Sequence, residues 1–379
     1  MTDLGPNAGL IGTPGSRSQL QTPCLVLDVA RLKANIATAA AHAKAKGVAL
    51  RPHGKSHKCS AIAALQIAAG ARGICVATVG EAEALARAGA GDMLITSNFA
   101  QPGKIARAVA LRASGCRIGL VADDPGVVDA IAAAASKANV KFDVLVDVDL
   151  GRKRNGVINA QQALAVAARI AANPHLTLAG LQAYASLISH TPRHDERQSA
   201  SLKSAEEIKT IKSALEAAGH TIGIVSGGST GTLYIDPEMG CYSELQAGSY
   251  VFNDVEYMGV DLDGRHGAKF APALFVAVSV IGRNVAGRVT CDGGNKHFSA
   301  KGTLPAFAHA PVEGAVYRPD SDEHGIIELP AGAAQPAMRT GFELIVPHCD
   351  PTVNLYDAYH VVDGGTLVDI WPIEGRGAF

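Results

Sequence analysis

The sequence has almost no excess of charge. Against 34 lysines and arginines stand 35 aspartates and glutamates, a formal net charge of -1, which removes the electrostatic case for nucleic acid or an anionic membrane as a partner. A small-molecule substrate is the expected partner instead. No stretch approaches the roughly 18 apolar residues needed to cross a bilayer. The opening residues, MTDLGPNAGLIGTPGSRSQLQ, hold no basic segment followed by an apolar run, so a cytoplasmic protein is expected. The seven cysteines are odd in number and lack paired spacing, which predicts reduced thiols rather than a disulfide frame. Walker and dinucleotide-binding fingerprints are missing as well.

What is present is a chain of 379 residues, 47% hydrophobic and 5% aromatic, a length that suits one large α/β barrel or two domains. Its first twenty or so residues, rich in Gly, Pro, Ser and Thr, read as a loose arm. From Thr22 to about residue 250, apolar runs of strand length alternate with Ala-rich helical patterns, the rhythm of successive βα units. The expected strands are Val48–His53, Gly73–Ala77, Asp92–Thr96, Arg117–Ala122, Phe142–Val148, Leu178–Tyr184, Ile222–Ser226 and Leu245–Phe252. The clearest helices are Ala30–Ala45, Val79–Ala88 and Ser201–Ala218. Beyond about residue 256, Gly, Pro and β-branched residues rise and short runs such as Leu274–Ile281, Arg288–Cys291, Glu343–Val346 and Tyr359–Val362 replace the helices. The prediction is an α/β protein, a (β/α)8 TIM-like barrel over 25–255 plus a β-rich domain built from 1–24 and 256–379. A further strand, Cys24–Asp28, is placed to pair with that domain.

In such a barrel the chemistry is written where each parallel strand ends. Those ends read Arg51-Pro52-His53-Gly54-Lys55, Asp147 to Arg154, Gln182-Ala183-Tyr184, Ser226-Gly227-Gly228-Ser229-Thr230-Gly231 and Gly248-Ser249-Tyr250. Lys55 follows an apolar strand, a setting in which desolvation lowers an ammonium pKa and frees an amine for Schiff-base formation; a surface lysine in a turn is the plainer alternative. The Ser226–Gly231 run offers unobstructed backbone N–H groups and hydroxyls, suited to a phosphate monoester, although Gly/Ser/Thr clusters after strands are commonly ordinary loops. Gly248-Ser249-Tyr250 would border the same phosphate. His348 and Asp350 follow the strand Phe342–Val346, and if extended geometry persists past Pro347, period two sets both on one face and Cys349 on the other. An imidazole and a carboxylate there favour a hard divalent ion, manganese or magnesium, over thiolate-bound zinc; taken alone, His-x-Asp is usually a chance pair. Asp322-Glu323-His324-Gly325 is either an exposed turn or a functional cluster.

Together these pieces resemble the fold-type III pyridoxal-phosphate enzymes, the alanine racemase-like class, and within it the metal-activated D-threonine aldolase and D-3-hydroxyaspartate aldolase family. The resemblance runs from about Thr22 to Phe379 and is carried by TPCLVLD (22–28), RPHGKSHKC (51–59), GARGICVATVGEAEAL (70–85), LVDVDLGRKRNGV (145–157), GLQAY (180–184), SGGSTG (226–231), ELQAGSYVF (244–252), SDEHG (321–325) and PHCDPTVNLYD (347–357). It implies that Lys55 holds pyridoxal 5'-phosphate covalently and that Gly227, Gly228, Ser229 and Thr230, with Gly248, Ser249 and Tyr250, hold its phosphate. It further implies that Arg154 approaches the phenolic oxygen, that Tyr184 sits near the pyridine nitrogen, and that His348 and Asp350 bind the divalent metal. D-serine dehydratase relatives carry His-x-Cys and zinc, so Asp350 tilts the chain toward the aldolases. The chain departs from the family at Ala77-Thr78, where a Gln-Lys pair is usual, at Ala185, where a His is usual, and at Ser229, where a third Gly is usual.

The reaction implied is retro-aldol cleavage of a D-β-hydroxy-α-amino acid to glycine and an aldehyde, with the metal activating the β-oxygen. A metal-bound hydroxide, His53 and His57 remain open as the base. The alternative is a dehydratase giving a keto acid and ammonia. A non-catalytic pyridoxal-phosphate carrier sharing the barrel fits less well, since such carriers lack a β domain. The family also implies a homodimer, with Asp322–Gly325 or the metal pair near its interface.

Overall fold

The computed structural model describes residues 4–299 and 302–379, which divide into two compact units. The barrel unit comprises Ala37–Gly248, Val260–Ala268 and Gly377–Phe379; the β unit comprises the chain up to Ile36, Ser249–Gly259 and Lys269–Arg376. In chain order the first elements are β1 (Cys24–Asp28), α1 (Val29–Ala45), β2 (Ala49–Leu50), α2 (Ser60–Ala68), β3 (Ile74–Val76), α3 (Val79–Arg87), β4 (Asp92–Ile95) and α4 (Pro102–Ala113). The βα alternation continues through β5 (Arg117–Ala122), α5 (Pro125–Lys137), β6 (Phe142–Val148), α6 (Ala160–Ala171), β7 (Leu176–Ala183), α7 (His194–Ala217), β8 (Ile224–Gly227) and β9 (Glu244–Leu245).

Strands β2 to β9 form one parallel sheet in the order β3-β4-β5-β6-β7-β8-β9-β2. Its two ends meet, because the Arg72 N–H donates to Leu50 O at 2.8 Å and the Cys75 N–H to Pro52 O at 2.9 Å, and His53 bridges Cys75. This is the expected eight-stranded barrel. The helices start where their sequences carry start signals: Thr78, Asp124 and Asn159 cap α3, α5 and α6 through side-chain oxygens, and Pro102 and Pro125 open α4 and α5. In α6 the buried residues Ala163, Val166, Ala167 and Ile170 follow helical spacing, so one stripe faces the sheet.

Two expectations for this unit need correction. Of the last predicted strand, Leu245–Phe252, only Leu245 pairs, together with Glu244 just before it, and residues 249–251 form a 3-10 turn; a Cβ on Gly248 would lie 2.4 Å from Ser56 Oγ, so the chain leaves the sheet by packing tightly against the turn that follows β2. Arg51, grouped above with the strand ends, is buried and turned the other way. Its guanidinium reaches Asp92 Oδ1 at 2.6 Å and Glu244 Oε1 at 3.1 Å, the first residues of β4 and β9.

The later elements are α8 (Val255–Met258), β10 (Leu274–Gly282), β11 (Arg288–Cys291), β12 (Ala306–Phe307), β13 (Val316–Pro319), β14 (Gly325–Glu328), β15 (Gly341–Ile345), α9 (Cys349–Val353), β16 (Ala358–Asp363) and β17 (Thr366–Pro372). In the β unit the sheet runs β13-β14-β11-β10-β1-β16-β17, with β15 pairing β10 and β12. Strand β1 lies antiparallel to β10 and parallel to β16, and Val26, Phe275, Ile345, Val362 and Leu367 form part of its core. Where sequence placed the domain boundary at 24/25, this unit runs through Ile36 and resumes at Ser249. The N-terminal segment is not a loose arm. Arg17 grips Glu343 with two bonds of 2.7 Å, Ser16 Oγ accepts the Leu367 N–H at 2.8 Å, and Asn7 Oδ1 accepts the Gln21 N–H at 2.7 Å. All seven cysteines are free thiols. Among the described residues no helix is long and apolar enough to cross a membrane.

Candidate active site

Lys55 sits on a 3-10 turn, Gly54–Ser56, that follows β2. His53 enters the turn extended and its Nδ1 accepts the Lys55 N–H at 3.4 Å. A Cβ on Gly54 would stand 3.0 Å from Ile74 Cγ2 and 3.3 Å from Cys75 O, so glycine lets the turn lie on β3. The far side is anchored by a buried ion pair, Lys58 Nζ to Glu81 Oε1 at 2.6 Å, while Glu81 Oε2 accepts the Ala77 N–H at 2.7 Å. Lys55 itself is only half-buried.

The neighbouring strand ends are β9 and β8. Gly248 closes against His53 and Ser56, and the His53 N–H donates to Ala247 O at 3.1 Å. β8 ends on Gly227, whose Cβ would lie 2.0 Å from Ala183 O, and Gly228 turns the chain with φ +73°; a side chain is excluded at the first and strained at the second. Ser229 N–H then donates to Thr232 Oγ1 at 3.0 Å. Behind Gly228 lies the Asp236 carboxyl, which accepts from Ser201 Oγ at 3.0 Å; burial pushes its pKa up to about 6, against hydrogen bonds from Thr232 and Ser201. The glycine-rich turn, Gly248 and the Lys55 turn therefore end three adjacent strands of one barrel, paired β8 to β9 and β9 to β2.

Arg154 and half-buried Tyr184 follow another adjacent pair, β6 and β7. Arg154 is exposed, and its Nε donates to Asn155 Oδ1 at 2.8 Å. The segments after β4, β6 and β7 also carry buried polar atoms with no hydrogen-bond partner among the described residues: Asn98 Oδ1, Asp149 Oδ1, Ser186 Oγ and Ser189 Oγ. Buried polar atoms left in this state mark a place where a ligand or water completes the bonding. A glycine turn for phosphate, an amine two strands along the same sheet and orphaned polar atoms after the strands fit pyridoxal 5'-phosphate.

The two candidate histidines behave differently from a free base. His53 Nδ1 accepts from Lys55 N–H, and Nε2 lies 3.0 Å from Thr96 Oγ1, which itself donates to Val76 O; the proton therefore belongs on Nε2. His57 is fully buried, with Nδ1 accepting the Cys59 N–H at 3.1 Å and Nε2 3.2 Å from Gln66 Oε1. Both nitrogens of His57 are thus engaged within its own segment, the arrangement of a structural imidazole.

In the β unit, His348 and Asp350 flank the start of α9. Extended geometry does not persist past Pro347 as the period-two reading assumed: His348 is the extended N-cap, and Cys349 and Asp350 are already helical. The pair still converges, with His348 Nε2 3.9 Å from Asp350 Oδ2. Cys349 does not point away from the acid, because its thiol donates to Asp350 Oδ2 at 3.4 Å. Burial holds that thiol well above its ordinary pKa, and Asp254 and Asp350 add to the effect, so it is a neutral S–H. Asp254, fully buried, bonds His348 Nδ1 at 3.2 Å, accepts the Cys349 N–H at 2.8 Å and caps α8 through the Tyr257 N–H. Burial alone would lower the His348 pKa, but Asp254, Asp350 and Glu256 outweigh it and raise it. A carboxylate on Nδ1 turns Nε2 outward as metal-ligating imidazoles require, and an N/O donor set facing Asp350 fits a hard divalent ion.

Ser249 and Tyr250, expected at the phosphate, are found in this unit with Ser249 Oγ 3.5 Å from Asp350 Oδ2 and the Tyr250 ring buried against Phe270. Ser321–Gly325 is a turn in which Ser321 Oγ meets His324 Nδ1 at 3.2 Å and Glu323 pairs with Lys296. Sequence reading missed Asp254 and Glu256, although an Asp directly before an apolar helical residue is an N-cap signal that could have flagged Asp254. At the departures from the family pattern, Thr78 is the cap of α3 and Ala185 is buried.

Residues 27–255 match the alanine racemase N-terminal domain family, and 273–362 match the putative serine dehydratase domain. The chain is 35% identical to a 3-hydroxy-D-aspartate aldolase of Paracoccus denitrificans (strain Pd 1222) over 370 residues, 96% of this chain and 94% of the relative. It is 37% identical to a D-threonine aldolase of an Arthrobacter species over 360 residues, 95% of this chain and 94% of the relative. The crystal structure of D-threonine aldolase from Filomicrobium marinum superposes with a TM-score of 0.91 at 34% identity, covering 95% of this chain and 97% of that one.

Proposed function

Because the chain belongs to the alanine racemase N-terminal domain family, and is related along almost its whole length to D-threonine and 3-hydroxy-D-aspartate aldolases, we propose that it is a carbon-carbon lyase. It cleaves D-β-hydroxy-α-amino acids to glycine and an aldehyde with pyridoxal 5'-phosphate and a divalent metal. The observation that carries the reading is the adjacency of the Lys55 turn, Gly248 and the Gly227–Thr230 turn at the ends of three paired strands.

Pyridoxal 5'-phosphate, when bound, supplies a sink for the electron pair released on Cα–Cβ cleavage, and a divalent ion supplies a Lewis acid for the β-oxygen. The chain's own residues do the rest. Lys55 is the amine that binds the cofactor's aldehyde, and Gly227, Gly228, Ser229 and Thr230 with the Gly248–Tyr250 turn hold its phosphate. Arg154 would lie by the cofactor's phenolic oxygen, and Tyr184 would sit near its pyridine nitrogen, where a phenol is a poor proton donor. His348, oriented by Asp254, and Asp350 would hold the metal, with manganese or magnesium favoured over zinc because the pair offers an imidazole and a carboxylate rather than a thiolate. Between the candidate histidines, His53 is better suited to proton transfer than His57, which is fully buried.

The second reading, a dehydratase giving a keto acid and ammonia, draws on the dehydratase-domain match over 273–362. Incubating the metal- and cofactor-loaded protein with D-threonine, D-phenylserine, D-serine and D-3-hydroxyaspartate separates the two. Aldehyde with glycine is the expected outcome; ammonia with a keto acid and no aldehyde would replace the aldolase reading with the dehydratase. A cytoplasmic homodimer is the form in which activity is expected, and full activity in a monomeric preparation would remove the dimer from this reading.

A further inference from the structure

We propose that Asp147 is a positioning residue that aims Arg154 at the bound cofactor, acting through Asn155. The inference rests on the cofactor reading above and identifies what holds one of its residues in place.

Asp147 is the penultimate residue of β6 and is 6% exposed. No cation contacts it among the described residues; amide groups surround it instead. Asn98 Nδ2 at 2.7 Å and Asn155 Nδ2 at 3.0 Å both donate to Oδ2, and Gln182 Nε2 donates to Oδ1 at 2.9 Å. A carboxylate only accepts, so it orders each amide with its nitrogen inward and its oxygen outward. For Asn155 the outward oxygen is the atom that accepts Arg154 Nε at 2.8 Å. The chain carboxylate, amide, guanidinium leaves both terminal nitrogens of Arg154 without a protein partner among the described residues.

The backbone around this relay is folded back onto β6. The Val157 N–H donates to Asp147 O at 2.8 Å and the Asp149 N–H to Val157 O at 3.0 Å. Gly156, at φ +104°, has its N–H on Asp123 Oδ2 at 2.6 Å, and a Cβ there would lie 2.5 Å from Asp149 N. Gln182 is braced in turn, donating to Thr96 O at 2.8 Å and accepting from Gln246 Nε2 at 3.3 Å, and Gln246 reaches Ser226 Oγ at 2.8 Å. Arg154 thus stands on a loop tied at both sides, its side chain exposed but its root fixed. Burial pushes the Asp147 pKa up to about 6, opposed by the Gln182 and Asn98 hydrogen bonds, with Asp123 raising it further and Arg154 lowering it. A buried acid kept without an ion pair is costly for a mere scaffold and is common where a site must be organised.

The test uses the full-length protein loaded with pyridoxal 5'-phosphate at pH 8, comparing wild type with Asp147→Asn and Asn155→Ala. The first variant removes the charge and leaves one acceptor oxygen where the acid has two, so the amides on one side of it, Gln182 or the Asn98 and Asn155 pair, lose their acceptor; the second keeps the acid and cuts the link to Arg154, so it decides the matter if the first misfolds. Both are expected to bind the cofactor about tenfold more weakly. Both should also raise the pH midpoint at which the visible band of the Lys55-bound cofactor fades, because a guanidinium beside the phenolic oxygen disfavours the protonated chromophore. A general loss of stability would not move that midpoint. Wild-type affinity and midpoint in a folded Asn155→Ala protein would overturn the proposal while leaving the cofactor reading intact. A wild-type protein that takes up no cofactor and gives no borohydride-reducible adduct would overturn both.

Discussion

The barrel unit and the β unit present their candidate chemistry by different means. In the barrel every candidate residue follows a parallel strand, so its position is set by a repeating architecture: Lys55 after β2, Arg154 after β6, Tyr184 after β7, the glycine turn after β8. In the β unit the pair His348 and Asp350 owes its geometry to one short helix start and to Asp254, 94 residues away in sequence from His348. A repeat can be read from residues in a row. A convergence of distant segments cannot, and the period-two argument that paired His348 with Asp350 assumed an extended run where the chain in fact turns into α9.

The comparison also predicts that the two sets of residues fail separately. The largest effect is expected from Lys55→Ala, which should abolish the visible absorbance of bound cofactor and cut turnover by about 1000-fold or more, because the barrel rim supplies no second amine on the Lys55 turn. A borohydride-reducible cofactor adduct on that variant would show the lysine assignment to be wrong. Next come chelation and Asp350→Ala, both expected to stop aldehyde release while the cofactor absorbance stays, since the absorbing group is held by Lys55 and not by α9. Manganese or magnesium should restore the chelated enzyme but not the variant. If Asp350→Ala retains wild-type aldehyde release, the His348 and Asp350 site falls and a His348 and Cys349 site takes its place.

A smaller effect is expected from Asp254→Asn. It removes the carboxylate that orients His348, and losing the hydrogen-bond partner of a ligating imidazole typically weakens metal affinity by about 10- to 100-fold; titration of activity against manganese should show a raised half-saturation with an unchanged cofactor spectrum. Unaltered metal dependence would mean that the bond between Asp254 and His348 Nδ1 serves only the fold. The smallest effect on catalysis belongs to His57→Gln, which replaces an imidazole bonded to the Cys59 N–H and Gln66. Losing those buried bonds should cost about 1–3 kcal/mol of stability, read as a lower melting midpoint, with turnover near that of wild type. A large loss of turnover at full stability would return His57 to the candidates for the base.

Much of the fold was legible because local patterns agreed with it. The βα rhythm predicted the barrel, and β5 and β6 fall on their predicted residues end to end. β1 could be assigned to the second sheet from its isolation ahead of the first helix. The N-terminal segment was misread because its order comes from partners such as Glu343 and Leu367, and Arg51 because a long side chain next to a strand end turns toward whichever buried acids are there.

What the sequence determined by itself is therefore the repeating part of this protein: the alternation of elements, the caps, the glycines at strand ends and the residue types those ends display, all properties of neighbours within a few positions. The tertiary structure decided how those residue types are paired and which way they face. Asp254 reaches His348 and Cys349, Asp147 gathers Asn98, Asn155 and Gln182, and His57 closes on Gln66. The physical reason is that a buried polar group must find partners wherever the packed chain brings them. Packing joins segments whose separation along the sequence leaves no periodic trace.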